Sequence, residues 1–359
     1  MLKSAILVKA LENRAAGALR SLLEEVPAIR VRKLGVEPGG PDRGIDILAR
    51  IDVAGRRYSI ACEVKPSGQP RHVRLGVLEL RHHVAQREPD ALPVFIAPYL
   101  SAEARALCRE ENVGFLDLEG NARLAFDGVF IDRLVPTRPA AARRALKSLF
   151  KPKSARILRV LLRDPKRAWR VAELARAAQV SLGHVSNVRS ALVDNEWAHL
   201  GEMGLVLDKP DTLLDAWRDA YDPPAAQREG FYTTLHGRSF DEAARRALSG
   251  KAGRGQSAFA SYSAAQWLAP YGRTGTHHFY AGKEGLVRLR RELKLVPVEK
   301  GENVVVMMPK DDGLFLDVVE PAPGAVCTGP VQTYLDLATA GERGREAADH
   351  LRRERLSWR

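Results

Sequence analysis

Residues 45–70 read IDILARIDVAGRRYSIACEVKPSGQP. Apolar and polar residues alternate through the first run, 45–53, and β-branched and aromatic residues recur in the second, 56–65. Ala54-Gly55 between them makes a two-residue turn, so the two runs read as a β-hairpin. Turning there sets Asp46 opposite Glu63. Residues directly opposed on two strands have Cβ atoms about 4.5–5.5 Å apart, and like charges so placed repel. Lys65 lies two residues beyond Glu63 on the same face, and Pro66-Ser67-Gly68 ends the strand. Two carboxylates and an amine at a strand end can neutralise one another as a structural ion cluster. They can also hold a hard divalent cation, because Mg²⁺ takes few carboxylates plus water and phosphate oxygens. That second arrangement serves metal-assisted attack on a phosphodiester. On this reading Asp46 and Glu63 are the metal ligands. Lys65 orients or deprotonates the attacking water, or neutralises developing charge.

The flanking sequence extends the pattern. Residues 1–26 read as an amphipathic helix, and 35–44 (GVEPGGPDRG) as a turn. Beyond the hairpin, 73–86 has helical periodicity, 93–100 (PVFIAPYL) is a short buried strand, and 101–112 is a helix with Ser101 as N-cap. Residues 113–126 return to strand and turn. This order predicts a mixed α/β sheet with flanking helices over residues 1–138. Asp46, Glu63-x-Lys65 and the preceding helix resemble the PD-(D/E)xK nuclease superfamily, the restriction-endonuclease-like fold. The resemblance implies that an acidic residue of the first helix joins the site; of Glu12, Glu24 and Glu25, Glu25 is the preferred candidate. It also implies a polar residue from the next helix, Gln69 or Glu79. The proline that usually precedes the first Asp is missing, with Gly44-Ile45 in its place. Arg71, His72 and Arg74 stand beside the cluster as phosphate contacts or as a solvated basic loop. Domains of this superfamily are also kept as inactive DNA-binding modules, so the resemblance leaves catalysis open.

Residues 139–153, rich in Pro, Ala and basic residues, read as a basic linker. The segment 154–220 holds three short helical patterns and then a Gly-bearing hairpin around Gly201 and Gly204. That is the order and length of a winged helix-turn-helix. Val185, Val188, Leu192 and Val193 form the buried stripe of its third helix. Ser181, His184, Ser186, Asn187 and Arg189 are left outside, where a recognition helix meets base edges. Arg170 and Arg176 are candidate phosphate contacts. Winged helices also serve as protein–protein modules.

Residues 221–359 mix helix-like and strand-like stretches and predict an α+β domain. The glycine-rich GKAGRGQS (250–257) lacks the ending of a phosphate-binding P-loop. His277 and His278 share a strand, so they point to opposite faces and do not form one metal site. Trp267, Tyr271, Phe279 and Tyr280 read as core. A winged helix followed by "ALSG…ASYSAAQWLAPY", "VVVMMPKDDGLF" and "GPVQTYLDLATAGERGREAADHLR" resembles the AbiEi-type family of bacterial type IV antitoxins over residues 150–359. That resemblance implies promoter binding and neutralisation of a nucleotidyltransferase-like toxin.

The chain of 359 residues is long enough for two or three domains. Its net charge is +12 and its pI about 9.8, which favours a polyanionic partner, nucleic acid before membrane. Three scattered Cys without a CxxC argue against a disulfide scaffold or Cys-rich zinc site, and Cys62 reads as core. No apolar run approaches the about 20 residues of a membrane span, and residues 1–26 lack the features of a signal peptide. A cytoplasmic location is therefore expected. Two functions stay open: a DNA-binding regulator of the antitoxin type carrying a nuclease-like domain, or a Mg²⁺-dependent DNA endonuclease targeted by its winged helix.

Overall fold

The computed structural model describes residues 2–36, 45–126, 128–136, 139–249, 256–272 and 274–358. Residues 37–44 of the expected turn and 250–255 of the glycine-rich stretch lie outside it. The chain forms two compact units, 1–145 with 194–196, and 146–193 with 197–359.

In the first unit, helix α1 (Leu2–Glu24) leads into β1 (Ile29–Val36), β2 (Ile47–Val53) and β3 (Arg56–Val64). Helix α2 (Pro70–Arg87), β4 (Ala91–Ala97), α3 (Ala102–Glu110), β5 (Gly114–Asp117), β6 (Ala122–Phe126) and β7 (Val129–Arg133) follow, and α4 (Ala140–Leu149) spans the point at which the chain passes to the second unit. The seven strands form one mixed sheet in sequence order. β3, β4 and β5 run parallel, connected through α2 and α3, and the outer pairs are antiparallel. Strand alternation divides the buried residues between two faces. Leu19, Leu22 and Leu23 of α1 cluster with Ile60, Cys62, Val94 and Ile96 on one face. Val73, Val77 and Leu80 of α2 cluster with Ala61, Phe95 and Phe115 on the other.

The expected hairpin is present in its expected register. Ile47 pairs with Cys62 and Val53 with Arg56. Ala54 (φ 49°) and Gly55 (φ 86°) are both left-handed, the backbone of a tight hairpin turn that matches strand twist. β1 was not anticipated. Its sequence IRVRKLGV puts cations between apolar residues, and its far edge is unpaired, so it carries less of the apolar signal that marks an interior strand. Ser101 caps α3 by accepting from the Ala104 amide at 3.2 Å.

In the second unit, α5 (Pro152–Arg163), α6 (Val171–Ala178) and α7 (Leu182–Asp194) precede a two-stranded antiparallel hairpin, β8 (Ala198–Gly201) and β9 (Gly204–Leu207). Trp169 and Leu205 exchange both backbone hydrogen bonds at 2.9 Å, which ties the hairpin to the α5–α6 connection. Gly204 (φ 136°) permits that approach, because a Cβ there would strike the Trp169 carbonyl. Helix α8 (Pro210–Asp219) leads to β10 (Ala225–Tyr232), α9 (Gly237–Leu248), β11 (Ser257–Phe259), α10 (Ser261–Leu268), β12 (His277–Ala281) and α11 (Lys283–Glu292). The rest is β13 (Val296–Pro297), β14 (Val304–Pro309), a 3-10 turn (Asp312–Asp317), β15 (Val318–Val319), β16 (Cys327–Thr328), α12 (Pro330–Ala338) and α13 (Gly341–Arg355). A second mixed sheet runs β13-β10-β14-β12-β11-β16-β15.

Residues 154–220, apart from 194–196, share one unit with 221–359, the two segments read from the sequence as separate domains, and a buried cluster extends from Leu149 to Leu356. The stretch GLFLDVVE (313–320) is mostly the 3-10 turn, and Asp311 caps it by accepting from the Gly313 amide at 2.9 Å. His277 and His278 do face opposite ways: His277 stacks on Phe240 at 3.7 Å, and His278 lies near Tyr262. Tyr271, expected in the core, is largely exposed. All three Cys are buried free thiols. Among the described residues no helix is long and apolar enough to cross a membrane.

Candidate functional site

The first candidate site is at the end of β3. Asp46 precedes β2; its amide donates to the Cys62 carbonyl at 2.8 Å, and its Oδ2 accepts from the Val64 amide at 2.7 Å. Glu63 is 4% exposed, and its Oε1 is 2.6 Å from Lys65 Nζ. Lys65 Nζ also reaches Glu79 of α2, at 3.1 Å. The chain turns back into α2 through Gly68, where a Cβ would meet the Tyr99 carbonyl. The second oxygen of Glu63, Oε2, is buried with no hydrogen-bond partner among the described residues, as is Gln69 Oε1 at the start of α2. A buried carboxylate oxygen without a donor is costly to keep.

The charges respond accordingly. Burial, against the pull of Lys65 and with help from Asp46 and Glu79, pushes Glu63 up to about 7. Burial also raises Asp46, against the Val64 amide and Lys65. Burial opposes the Lys65 charge, but Glu63 and Glu79 outweigh it and raise its pKa. The carboxylate of α1 that feels this group is Glu12, raised by burial and then by Asp46. Glu25, the candidate preferred from the sequence, is placed elsewhere: its carboxylate meets Arg133 at 3.0 Å, and that arginine also donates to the Gly120 carbonyl. The correction has a simple cause. Glu25 follows the last turn of α1, whereas Glu12 lies about three turns earlier. Arg71 and Arg74 are exposed on the opening turns of α2.

The donor set suits a hard cation in kind. Asp46 and Glu63 offer oxygen ligands, and one Glu63 oxygen lacks any other partner. Among the described residues no group of three or more His, Cys, Asp or Glu is gathered for a metal.

The second candidate site is the outer face of α7. Val185, Val188 and Leu192 are buried as expected, and Val193 is partly so. Asn187 is exposed, and Ser186 and Arg189 are half-exposed. Ser181 caps the helix, its Oγ accepting from the His184 amide at 3.3 Å. His184 is turned from the solvent position expected for it: its Nε2 lies 3.1 Å from Ser154 Oγ on α5. Half-buried and engaged there, it braces α7 against α5. Arg170, at the start of α6, and Arg176, in its last turn, are exposed.

The unit that contains α7 continues directly into the segment with a recognisable relative. Residues 206–357 match a family described as "Transcriptional regulator, AbiEi antitoxin, Type IV TA system". The match begins within β9 and runs past the end of α13. No curated protein and no solved structure matches the chain. The antitoxin-like part is therefore the helix-and-sheet region carrying β10 to β16, and residues 1–205 lie outside the match.

Two features of the second unit escaped the sequence reading. Arg159 on α5 is 5% exposed. The only signal for it was an arginine inside the apolar stripe of SARILRVLLR. Asp336 of α12 accepts hydrogen bonds from Tyr221, Tyr280 and Gln332, three residues far apart in sequence, and burial raises it to about 6.

Proposed function

We propose that this protein is a DNA-binding transcriptional regulator of the antitoxin type. The observation that carries the reading is the order of parts. A three-helix segment with a hairpin runs straight into a region similar to a type IV antitoxin regulator family. Residues 154–207 are taken as a winged helix, with β8–β9 as the wing and α7 as the recognition helix. Asn187, Ser186 and Arg189 would meet base edges, while Arg170 and Arg176 contact phosphates. Ser181 and His184 hold α7 in place. The net charge of +12 supports a polyanionic partner. The antitoxin likeness supports a second partner, a nucleotidyltransferase-like toxin.

The experiment is fluorescence anisotropy against DNA from upstream of the chain's own gene, with scrambled DNA as control, across salt concentrations. Wild-type affinity should fall steeply with salt, as phosphate contacts require. Asn187→Ala and Arg189→Ala should each lose about tenfold in discrimination, from a base contact worth about 1–3 kcal/mol. Undiminished discrimination in both variants would remove α7 from the reading surface. Co-expression with a candidate toxin tests the second partner; growth arrest unrelieved by this chain counts against it.

A second reading rests on Glu63 Oε2, the buried oxygen without a donor beside Asp46 and Lys65. It makes the first unit a PD-(D/E)xK nuclease domain with Asp46 and Glu63 holding Mg²⁺. When bound, the ion would supply charge neutralisation and activation of water. Lys65 would then hold Glu63 in place and offer its ammonium to the phosphate. Because the ligand must be ionised, cation affinity should rise as pH passes about 7, where Glu63 loses its proton. Mn²⁺ should raise the melting temperature more at pH 8 than at pH 6, and not at all in Glu63→Gln. A shift of equal size in Glu63→Gln would place the cation elsewhere. Plasmid cleavage by wild type with Mg²⁺ or Mn²⁺, lost in Glu63→Ala and Lys65→Ala, separates this reading from the regulator.

A further inference from the structure

A cleft of about 200 Å³ opens in the second unit, bounded by α5, the end of α8, the start of the 3-10 turn and α12. Arg159 of α5 lines it from below. Its Nη1 donates to Gln332 Oε1 at 3.1 Å and its Nη2 to the Gly313 carbonyl at 3.5 Å, but its buried Nε has no partner. Among the described residues no carboxylate is within ion-pair distance of this guanidinium. Asp311 is gripped by Arg156 at 2.7 and 2.8 Å and Asp317 by Arg163, while Asp336 takes its hydrogen bonds from Tyr221, Tyr280 and Gln332 on one oxygen. Burial lowers the pKa of this guanidinium, although Asp317 and Asp311 act on it from longer range; a buried charge without a direct ion pair is costly to retain. It marks a place where a ligand can provide what the protein lacks.

The rim and wall say what kind of ligand. Lys147, Lys151 and Lys310 are exposed around the opening and have no ion pair among the described residues; of the two carboxylates that line it, Asp311 is neutralised by Arg156 and Asp222 is the other. One wall is flat and apolar: Phe150 lies parallel to Trp217, with ring centroids 5.7 Å apart and planes 5° from parallel. A cavity of about 150 Å³ accommodates a benzene ring, so the space suits one ring with one appended group. We propose that this cleft binds a small organic anion, a flat ring carrying a phosphate or carboxylate. The anionic group sits toward Arg159 and the lysines, and the ring lies against the Phe150–Trp217 wall. This site is separate from both candidate sites above and stands whether or not the regulator reading holds.

Titration calorimetry of the full chain tests it with phenyl phosphate, benzoate and inorganic phosphate as probes. At least one ring-bearing anion should bind one to one, about tenfold or more tighter than inorganic phosphate. The preferred ring-bearing probe identifies the anionic group. Arg159→Met removes the floor charge but risks the fold. The surface variant Lys151→Glu/Lys310→Glu is therefore the decisive one: it should keep the wild-type melting temperature and bind about tenfold more weakly. The proposal is overturned by any of three results. These are no binding of either ring-bearing probe up to about 10 mM, inorganic phosphate binding as tightly as phenyl phosphate, or unchanged affinity in the double variant.

Discussion

Replacing Lys65 by Met should destabilise the first unit by about 3 kcal/mol at pH 8 and far less at pH 5, the difference arising from Glu63. Lys65 Nζ is 2.6 Å from a carboxylate that is 4% exposed. Removing one partner of a fully buried pair strands the other at a cost of about 3–5 kcal/mol; Lys65 is a third exposed, which holds the expected cost to the low end of that range. The pH dependence follows from where Glu63 titrates. Its folded pKa is raised from 4.5 to about 7. Between those values the folded protein keeps a proton that the unfolded chain has lost. The associated stability is complete below pH 4.5 and is lost as pH rises through 7. A displacement of that size corresponds to about 3 kcal/mol. Asp46 and Glu12 are raised as well and act in the same direction. At pH 5 Glu63 is already neutral in the folded state, so losing the lysine matters little there. At pH 8 it is charged and would have nothing to face. Urea unfolding at the two pH values measures this, and Glu63→Gln/Lys65→Met should recover most of the loss at pH 8. Equal losses at both pH values would mean that Glu63 is ionised throughout and that the cluster is an ordinary ion pair.

The second large effect is expected at Asp117, the last residue of β5. This side chain is 1% exposed. Its Oδ1 accepts from the amides of Glu119 (3.1 Å) and Asn121 (2.9 Å). Its Oδ2 accepts from the amide of Leu100 (3.1 Å) and the side-chain amide of Asn121 (2.8 Å). Asn121 in turn accepts from the Val135 amide at 2.8 Å. Asp117→Ala leaves four donors without their acceptor. Each buried unsatisfied group costs about 1–3 kcal/mol, partly relieved where water can enter. A total loss of about 4 kcal/mol is expected, from the same unfolding measurement. Asp117→Asn retains shape and one acceptor oxygen, and should lose about 2 kcal/mol. A loss below about 1 kcal/mol for Asp117→Ala would show that water replaces the carboxylate there.

Both residues belong to the same sheet, but they were not equally legible. The Glu63–Lys65 cluster could be read because strand periodicity and a two-residue turn are local rules. Given Ala54-Gly55, the register of β2 on β3 follows, and with it the meeting of Asp46 and Glu63. Asp117 carries no such pattern. Its partners come from the loop after β4 and its own turn, and only the parallel pairing of β4 with β5 brings Leu100 to it. The same limit explains Glu25. A sequence shows that a helix carries acids at 12, 24 and 25, but which one faces the strand end depends on how α1 lies across the sheet. His184 is similar: helical periodicity left it on the polar side, and a hydroxyl on α5 gave it a partner.

By itself, then, the sequence determined the local elements, the β2–β3 register, the buried stripe of α7 and the basic balance of the chain. Each depends on residues near one another in sequence or on a simple count. The tertiary structure alone decided which acid of α1 feels Asp46, that one buried cluster reaches from Leu149 to Leu356, and that Arg159 is buried without a direct ion pair among the described residues. Those depend on packing between elements far apart in sequence, where burial and the nearest partner set whether a polar group is satisfied, and no local pattern records that distance.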